Sequence, residues 1–148
     1  MLSVLKGDDT RKAKKVLKSN ENSNIFFYFV DHGAPGFSMT ATGEKFTAVE
    51  LNDTLKYMHE NKMYNEMVIY WETCESGSMF KNILANDINI YALSAANAKE
   101  SSWGTYCASS KQDIVDGVHM GTCLGDLFSV NFMQDSDKGD LKDETLKT

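Results

Sequence analysis

With 148 residues, 42% of them hydrophobic and 24% charged, the chain is long enough to bury a core and has the ordinary make-up of a globular domain. Its net charge of −6 argues against a general nucleic-acid binder, because phosphate contacts call for a basic face. No run approaches the ~18 apolar residues of a membrane span, and the opening Met-Leu-Ser-Val-Leu-Lys-Gly-Asp-Asp lacks the apolar core of a signal peptide.

Charge is uneven along the chain. Lys6, Arg11, Lys12, Lys14, Lys15 and Lys18 crowd the amino end, and Asp135, Asp137, Asp140, Asp143 and Glu144 crowd the other. Both clusters read as solvated faces or frayed ends. Residues 8–19 read as a basic helix with a thin apolar stripe of Ala13, Val16 and Leu17, and a polar loop follows. Asn24-Ile-Phe-Phe-Tyr-Phe-Val30 is short, apolar and rich in aromatic residues, the pattern of a buried strand. It runs into Asp31-His32-Gly33, and Gly33-Ala-Pro-Gly36 is a turn.

Thr47-Ala-Val-Glu50 fits a capping box opening a helix of about 16 residues. Val49, Asn52, Leu55 and Met58 are expected to share its inner face, an apolar but imperfect stripe. Met67-Val-Ile-Tyr-Trp71 reads as a second buried strand, ending in Glu72-Thr-Cys-Glu-Ser-Gly-Ser78, and residues 76–84 read as a short helix. A third strand is expected at Ile88-Asn-Ile-Tyr-Ala-Leu93. Leu124, Leu127, Phe128 and Val130 have helical spacing. Strand, helix, strand, short helix, strand, helix predicts an α/β chain with a mostly parallel sheet. Three strands make a thin sheet with an exposed edge.

Parallel sheets collect ligands outside the carboxyl ends of their strands, where His32 and Cys74 both fall. An imidazole and a thiol at one edge suggest a cysteine nucleophile with its general base. The N–H groups of Gly33 and Cys74 are candidate oxyanion donors. A helix start after Cys74 would favour thiolate. Separately each residue has a plainer reading: a lone cysteine is usually a small hydrophobe, and a lone histidine at a strand end is often only hydrogen-bonded. Glu72 disfavours thiolate and makes better sense as a substrate-binding group than as an activator. His59, on a predicted helix, and His119, in a polar loop, read as surface residues.

Joining Cys107 to Cys123 would close a loop of about 15 residues, worth ~3 kcal/mol in the chain-entropy model. Cys74 would then be the odd thiol. Three unpaired cysteines in a reducing compartment fit the count equally well.

The motifs go further than spacing. Phe29-Val-Asp-His-Gly33, Glu72-Thr-Cys-Glu-Ser-Gly-Ser-Met79, Ala95-Ala-Asn97 and Glu100-Ser-Ser-Trp-Gly-Thr-Tyr106 resemble the legumains, the asparaginyl endopeptidases called vacuolar processing enzymes in plants. Asn52-Asp-Thr-Leu-Lys-Tyr-Met58, Asn61-Lys-Met-Tyr64, Leu124-Gly-Asp126 and Met133-Gln-Asp-Ser-Asp137 extend the resemblance along the chain, and Trp103-Gly-Thr-Tyr-Cys107 looks more like the plant branch. The related catalytic subunit of GPI transamidase fits less well.

This resemblance implies a caspase-like α/β fold, a mostly parallel sheet flanked by helices. It also implies a thiol protease cleaving after asparagine, and after aspartate at acidic pH, in vacuolar or lysosomal processing, with no cofactor and no metal. By position Cys74 becomes the nucleophile, His32 the catalytic histidine, and Gly33 with Cys74 the oxyanion hole. Glu72, Ser101, Ser102 and Asp126 match the specificity pocket, and Cys107 and Cys123 match cysteines that are disulfide-bonded in plant members. Gly104 falls where some peptide-ligating relatives carry a larger residue, which points to hydrolysis.

Family members begin with a signal peptide and two further strand–helix units, and end with a prodomain. The chain therefore reads as a single partial domain over residues 1–148, with the first strand–helix units missing and no prodomain. The missing part carries an asparagine that orients the histidine and a pocket arginine. Loss of that arginine would leave a substrate carboxamide unpaired at ~1–3 kcal/mol. Expected partners are peptides with Asn or Asp before the scissile bond, with no nucleic acid and no membrane. The runner-up reading is a catalytically incompetent homologue that binds peptides or pairs with a partner through its open sheet edge. Asn52-Asp53-Thr54 is in addition a glycosylation sequon.

Overall fold

In the computed structural model, which describes residues 1–10, 15–139 and 145, the two apolar runs lie side by side and parallel. The chain divides into two units, Met1–Ser101 and Ser102–Thr148. In the first, a short helix α1 (Leu2–Leu5) precedes β1 (Asn24–Val30). Three short strands follow, β2 (Gly33–Ala34), β3 (Phe37–Met39) and β4 (Lys45–Thr47), then α2 (Ala48–Glu60), β5 (Glu66–Glu72) and β6 (Ile90–Ser94). The main sheet has the order β1-β5-β6 and both pairings are parallel, so the α/β expectation holds. β2, β3 and β4 form a separate antiparallel sheet.

The core explains why β5 sits centrally. Met67, Ile69 and Trp71 alternate along it and are buried, as are Leu51, Leu55 and Met58 of α2. Burying each such side chain stabilises by roughly 1.5–3 kcal/mol. Trp71 is the hub: its ring stacks on Phe29 at 4.3 Å and meets Phe27, Phe46 and Phe80 edge-on at 5.6, 5.9 and 5.7 Å. Its indole N–H, which could not be left unpaired at this depth, donates to the Ser38 hydroxyl at 3.1 Å.

Helix α2 opens on the expected capping box. Thr47 Oγ1 accepts the Glu50 N–H at 3.2 Å, and Glu50 Oε2 accepts the Thr47 N–H at 2.7 Å. That bonding holds the Glu50 carboxyl below its ordinary pKa. The helix has 13 residues rather than about 16, and Val49 is exposed, contrary to expectation. Steps of three fall short of a full turn by about 60°, so Val49 and Met58 end on opposite sides. Ala48 and Leu51 complete the inner face with Asn52, Leu55 and Met58.

Three further expectations are corrected. Residues 76–84 do not form one helix; a 3₁₀ turn covers Ser76–Met79, and loop turns continue it to a left-handed Asn82 (φ 62). The third strand starts two residues later than its apolar run, because Asn89 is itself left-handed (φ 53). The expected basic helix is absent over residues 15–19, while residues 11–14 lie outside the described residues. Of the carboxyl-terminal acids, Asp140, Asp143 and Glu144 lie outside them as well.

The second unit pairs β7 (Gly104–Thr105) with β10 (Gly125–Asp126), and β8 (Ile114–Val115) with β9 (Val118–His119). Asp116 (φ 51) and Gly117 (φ 81) make the two-residue turn of the β8–β9 hairpin, the left-handed pair that Asp-Gly supplies at least cost. Cys107 and Cys123 are joined by a disulfide, which decides between the two cysteine readings. Helix α3 (Leu127–Lys138) follows β10, as the spacing predicts. Among the described residues no helix is long and apolar enough to cross a membrane.

Candidate active site

The first unit presents two turns at the carboxyl edge of its parallel sheet. One follows β1, where the Asp31 N–H donates to the Glu72 carbonyl at 3.2 Å and Asp31 Oδ1 accepts the His32 N–H at 2.7 Å. His32 is exposed, and its carbonyl accepts the Met39 N–H at 2.9 Å. Between them β2 and β3 fold back through Pro35 and Gly36, with Ala34 opposite Phe37. Gly36 (φ +80) supplies the left-handed corner of a Pro-Gly turn.

The other turn follows β5. The strand ends at Glu72, so Cys74 stands in the turn beyond it rather than on the strand face that Glu72 shares. Cys74 is half-buried and Glu72 is buried. Glu75 adopts φ 50, uncommon for a residue with a Cβ and the mark of a sharp strand-to-turn corner. Its carbonyl accepts the Ser78 N–H at 2.8 Å. Since Ser76–Met79 is a single 3₁₀ turn, the expected helix start behind the thiol is replaced by a much weaker array of aligned amides.

Four sets of hydrogen bonds fix the cysteine turn. Thr73 Oγ1 donates to the Cys74 carbonyl at 3.0 Å, while the Glu75 N–H donates to the Glu100 carbonyl at 2.8 Å. The peptide after Cys74 is thus held at both ends. Ser76 Oγ donates to the Ala96 carbonyl at 3.1 Å and accepts the Ala96 N–H at 2.9 Å. Asn52 Nδ2 reaches from α2 to the Met79 carbonyl at 2.7 Å. The Gly36 N–H donates to Ser78 Oγ at 2.9 Å, joining the two turns.

Gly33 shows how close these turns are. A Cβ built there would lie 2.6 Å from Thr73 Oγ1 and 2.8 Å from the Cys74 carbonyl oxygen. Only a glycine lets the backbone after His32 rest on the backbone that carries Cys74. Two backbone turns bearing an imidazole and a thiol, locked together in this way, can position a proton acceptor beside a nucleophile.

The remaining sequence candidates are distributed over both units. Ser101, at the end of the first unit, is exposed. In the second, Ser102 is half-buried, and Asp126 is the N-cap residue of α3 with a carboxylate that does not cap the helix. His59 is half-buried with its ring 6.1 Å from that of Tyr64. His119 is exposed, yet its Nδ1 bonds Asp113 Oδ1 at 2.9 Å. Sequence reasoning missed Thr73, Ser38 and Ser78; serine and threonine in such stretches look like turn formers, and only their partners reveal a tertiary role. A recess of about 900 Å³ between α1, the β3–β4 hairpin and Glu50 contains none of the candidate residues. Among the described residues, no three His, Cys, Asp or Glu side chains gather as a metal site.

Comparison with known proteins bears on these turns. The profile of the Peptidase C13 family matches residues 1–148. The vacuolar-processing enzyme delta-isozyme of Arabidopsis thaliana is 53% identical over 133 residues, 90% of this chain and 28% of the relative. Mouse (Mus musculus) legumain is 48% identical over 149 residues, 98% of this chain and 32% of the relative. The hemoglobinase of Schistosoma japonicum is 45% identical over 145 residues, again 98% and 32%. The chain thus spans about a third or less of the length of these curated relatives.

Proposed function

Since the chain belongs to the peptidase C13 family, we propose that its two locked turns are the nucleophile and base of a cysteine endopeptidase selective for asparagine. In this reading the Cys74 thiolate attacks the scissile carbonyl, and the N–H groups of Gly33 and Cys74 receive the oxyanion. His32 protonates the departing amine, leaving an acyl-enzyme thioester that water hydrolyses with His32 taking its proton. The observation that supports this reading is the close approach of Gly33 to Thr73 and the Cys74 carbonyl, which brings the backbone after His32 against the backbone that carries Cys74.

Asparagine selectivity is assigned, on motif resemblance, to Glu72, Ser101, Ser102 and Asp126. Carboxylates accept from a carboxamide NH₂, a donor that an acidic side chain lacks until it is protonated. Cleavage after aspartate therefore calls for acidic pH, in keeping with a vacuolar or lysosomal place of action. Substrates are peptides and proteins with Asn or Asp before the cleaved bond, and residues 1–148 form part of one caspase-like peptidase domain.

A second reading has its own observation. β1 is an edge strand whose Phe26 is 58% exposed, so the sheet can accept a further strand. A chain that has lost catalysis would then act by pairing through this edge.

The test is intact-mass labelling at about pH 5.5, above the ordinary carboxylate range, with a peptide electrophile ending in asparagine. Cys74→Ala and a glutamine-ended probe serve as controls. Rapid single-site labelling, lost in the variant and weak with glutamine, supports the peptidase. A folded sample that labels no faster than an ordinary thiol sinks it and favours the pairing module.

A further inference from the structure

The histidine turn and the cysteine turn come from distant stretches of chain, and the Ser78 hydroxyl bridges them by accepting the Gly36 N–H at 2.9 Å. We propose that Ser78 is a positioning residue whose hydroxyl sets the separation of His32 from Cys74. The proposal rests on the reading of those two as base and nucleophile.

Each end of the bridge is stiffly referenced to one partner of the pair. On the cysteine side the Ser78 N–H donates to the Glu75 carbonyl at 2.8 Å, closing the turn directly after Cys74. On the histidine side Gly36 is the corner of a two-residue hairpin whose strands pair Gly33 with Ser38 and Ala34 with Phe37. The Met39 N–H donates to the His32 carbonyl at 2.9 Å, so movement of the hairpin moves His32.

The hairpin is also held by the β3–β4 pairing and by the packing of Gly33 on Thr73 and Cys74. Neither of these, nor the hydrogen bonds made by Ser38 and by the Gly36 carbonyl, joins the Gly36 corner to the cysteine turn. Ser38 accepts the Trp71 indole N–H and so roots the hairpin in the core, away from the corner. The Ala48 N–H donates to the Gly36 carbonyl at 2.8 Å, which ties the corner to α2 rather than to the cysteine turn. A Cβ on Gly36 would meet nothing within 4 Å, so no atom packs against that side of the corner's backbone. Removing the Ser78 oxygen releases the Gly36 N–H to solvent and lets the histidine turn shift against the thiol. A displacement of about 1 Å in such a pair is worth on the order of 100-fold in rate.

The experiment measures alkylation of Cys74 by iodoacetamide in the full chain, with the Cys107–Cys123 bond kept oxidised, from about pH 5 to about pH 9. An isolated thiol reacts only as pH approaches its pKa near 8.5, whereas a thiol paired with imidazolium also reacts in acid. His32→Ala, Ser78→Ala and Ser78→Thr are compared with the parent. Asp31, Glu72, Glu75 and Glu100, the acids nearest the two turns in sequence or bonding, are common to all four, so a change in profile reports the altered residue.

The expected result is an acid limb that His32→Ala abolishes, that Ser78→Ala lowers by about tenfold or more, and that Ser78→Thr retains. The alkaline limb stays as it was. An undiminished acid limb in folded Ser78→Ala overturns the proposal and leaves the peptidase reading standing. A parent profile without any His32-dependent limb defeats both. If Ser78→Ala does not fold, amide exchange of Gly36 in the parent decides: slow exchange supports the bridge, and exchange at the rate of a solvated amide overturns it.

Discussion

Gly33 rests on Thr73, with room for a hydrogen atom and none for a methyl: a Cβ there would be 2.6 Å from Thr73 Oγ1 and 2.7 Å from its Cβ. Thr73 cannot yield easily, since it is buried and its hydroxyl donates to the Cys74 carbonyl. Gly33→Ala must therefore push the two turns apart. Overpacking of this kind costs about 1–3 kcal/mol. The larger loss should be functional, with the acid-limb reactivity of Cys74 falling by about 100-fold. Thermal melting and thiol labelling on one sample check this, and unchanged labelling at a lowered Tm would show that the contact is structural alone.

The Trp71–Ser38 bond predicts a different balance. Ser38→Ala removes the hydroxyl that accepts a fully buried indole N–H, leaving a desolvated donor that costs ~1–3 kcal/mol. Trp71→Phe takes away the donor along with part of the ring, and in the Ser38→Ala background it should cost less than in the parent. A double-mutant cycle by denaturant unfolding measures the difference. Additive losses would mean that the hydroxyl and the indole stabilise independently.

Much of this arrangement was legible in the chain, and the failures share a cause. The parallel strands showed because aromatic and β-branched residues cluster in Asn24–Val30 and Glu66–Glu72. The capping box and the Pro-Gly turn showed because each depends on a few adjacent residues. The β2–β3–β4 sheet did not, as strands of two and three residues are too short to display a period. Residues 76–84 looked helical until Ser76 and Ser78 proved to be bonded to Ala96 and Gly36, partners far away in sequence. His32 and Cys74 could be named from strand ends and motifs, but the residues that tie their turns together could not.

Asn52 stands in a glycosylation sequon yet is only 2% exposed, and its Nδ2 donates to the Ala48 and Met79 carbonyls at 2.8 and 2.7 Å. The nitrogen that would carry a sugar is committed to bracing the end of the cysteine turn. Its Oδ1 is buried with no hydrogen-bond partner among the described residues, so the side chain is retained for its donor end. Chain passed through a secretory pathway should carry no glycan at Asn52, and Asn52→Ala should lose about 1–3 kcal/mol. Peptide mass mapping and urea unfolding test the pair of expectations. A folded, Asn52-glycosylated protein of unaltered stability would contradict this placement.

In the second unit Asp113 is fully buried inside the disulfide-closed loop and accepts two hydrogen bonds, from His119 Nδ1 at 2.9 Å and from the Gly121 N–H at 2.8 Å. A carboxylate only accepts, so His119 carries its proton on Nδ1. The His119 bond first, and then the Gly121 N–H, hold the Asp113 carboxyl below its ordinary pKa. A depressed folded pKa means that the unfolded chain takes up the proton first. The stabilisation is therefore complete above the unfolded value of about 3.9 and is lost as pH falls from there through the lower folded value. Asp113→Ala removes both acceptor oxygens and leaves the Gly121 N–H without this partner. Amide exchange of Gly121 should be slow in the parent at neutral pH and fast in the variant. The two rates should converge as the solution is acidified below about pH 4. Equal Gly121 exchange in parent and variant at neutral pH would show that the loop is held by the disulfide and the hairpin without Asp113.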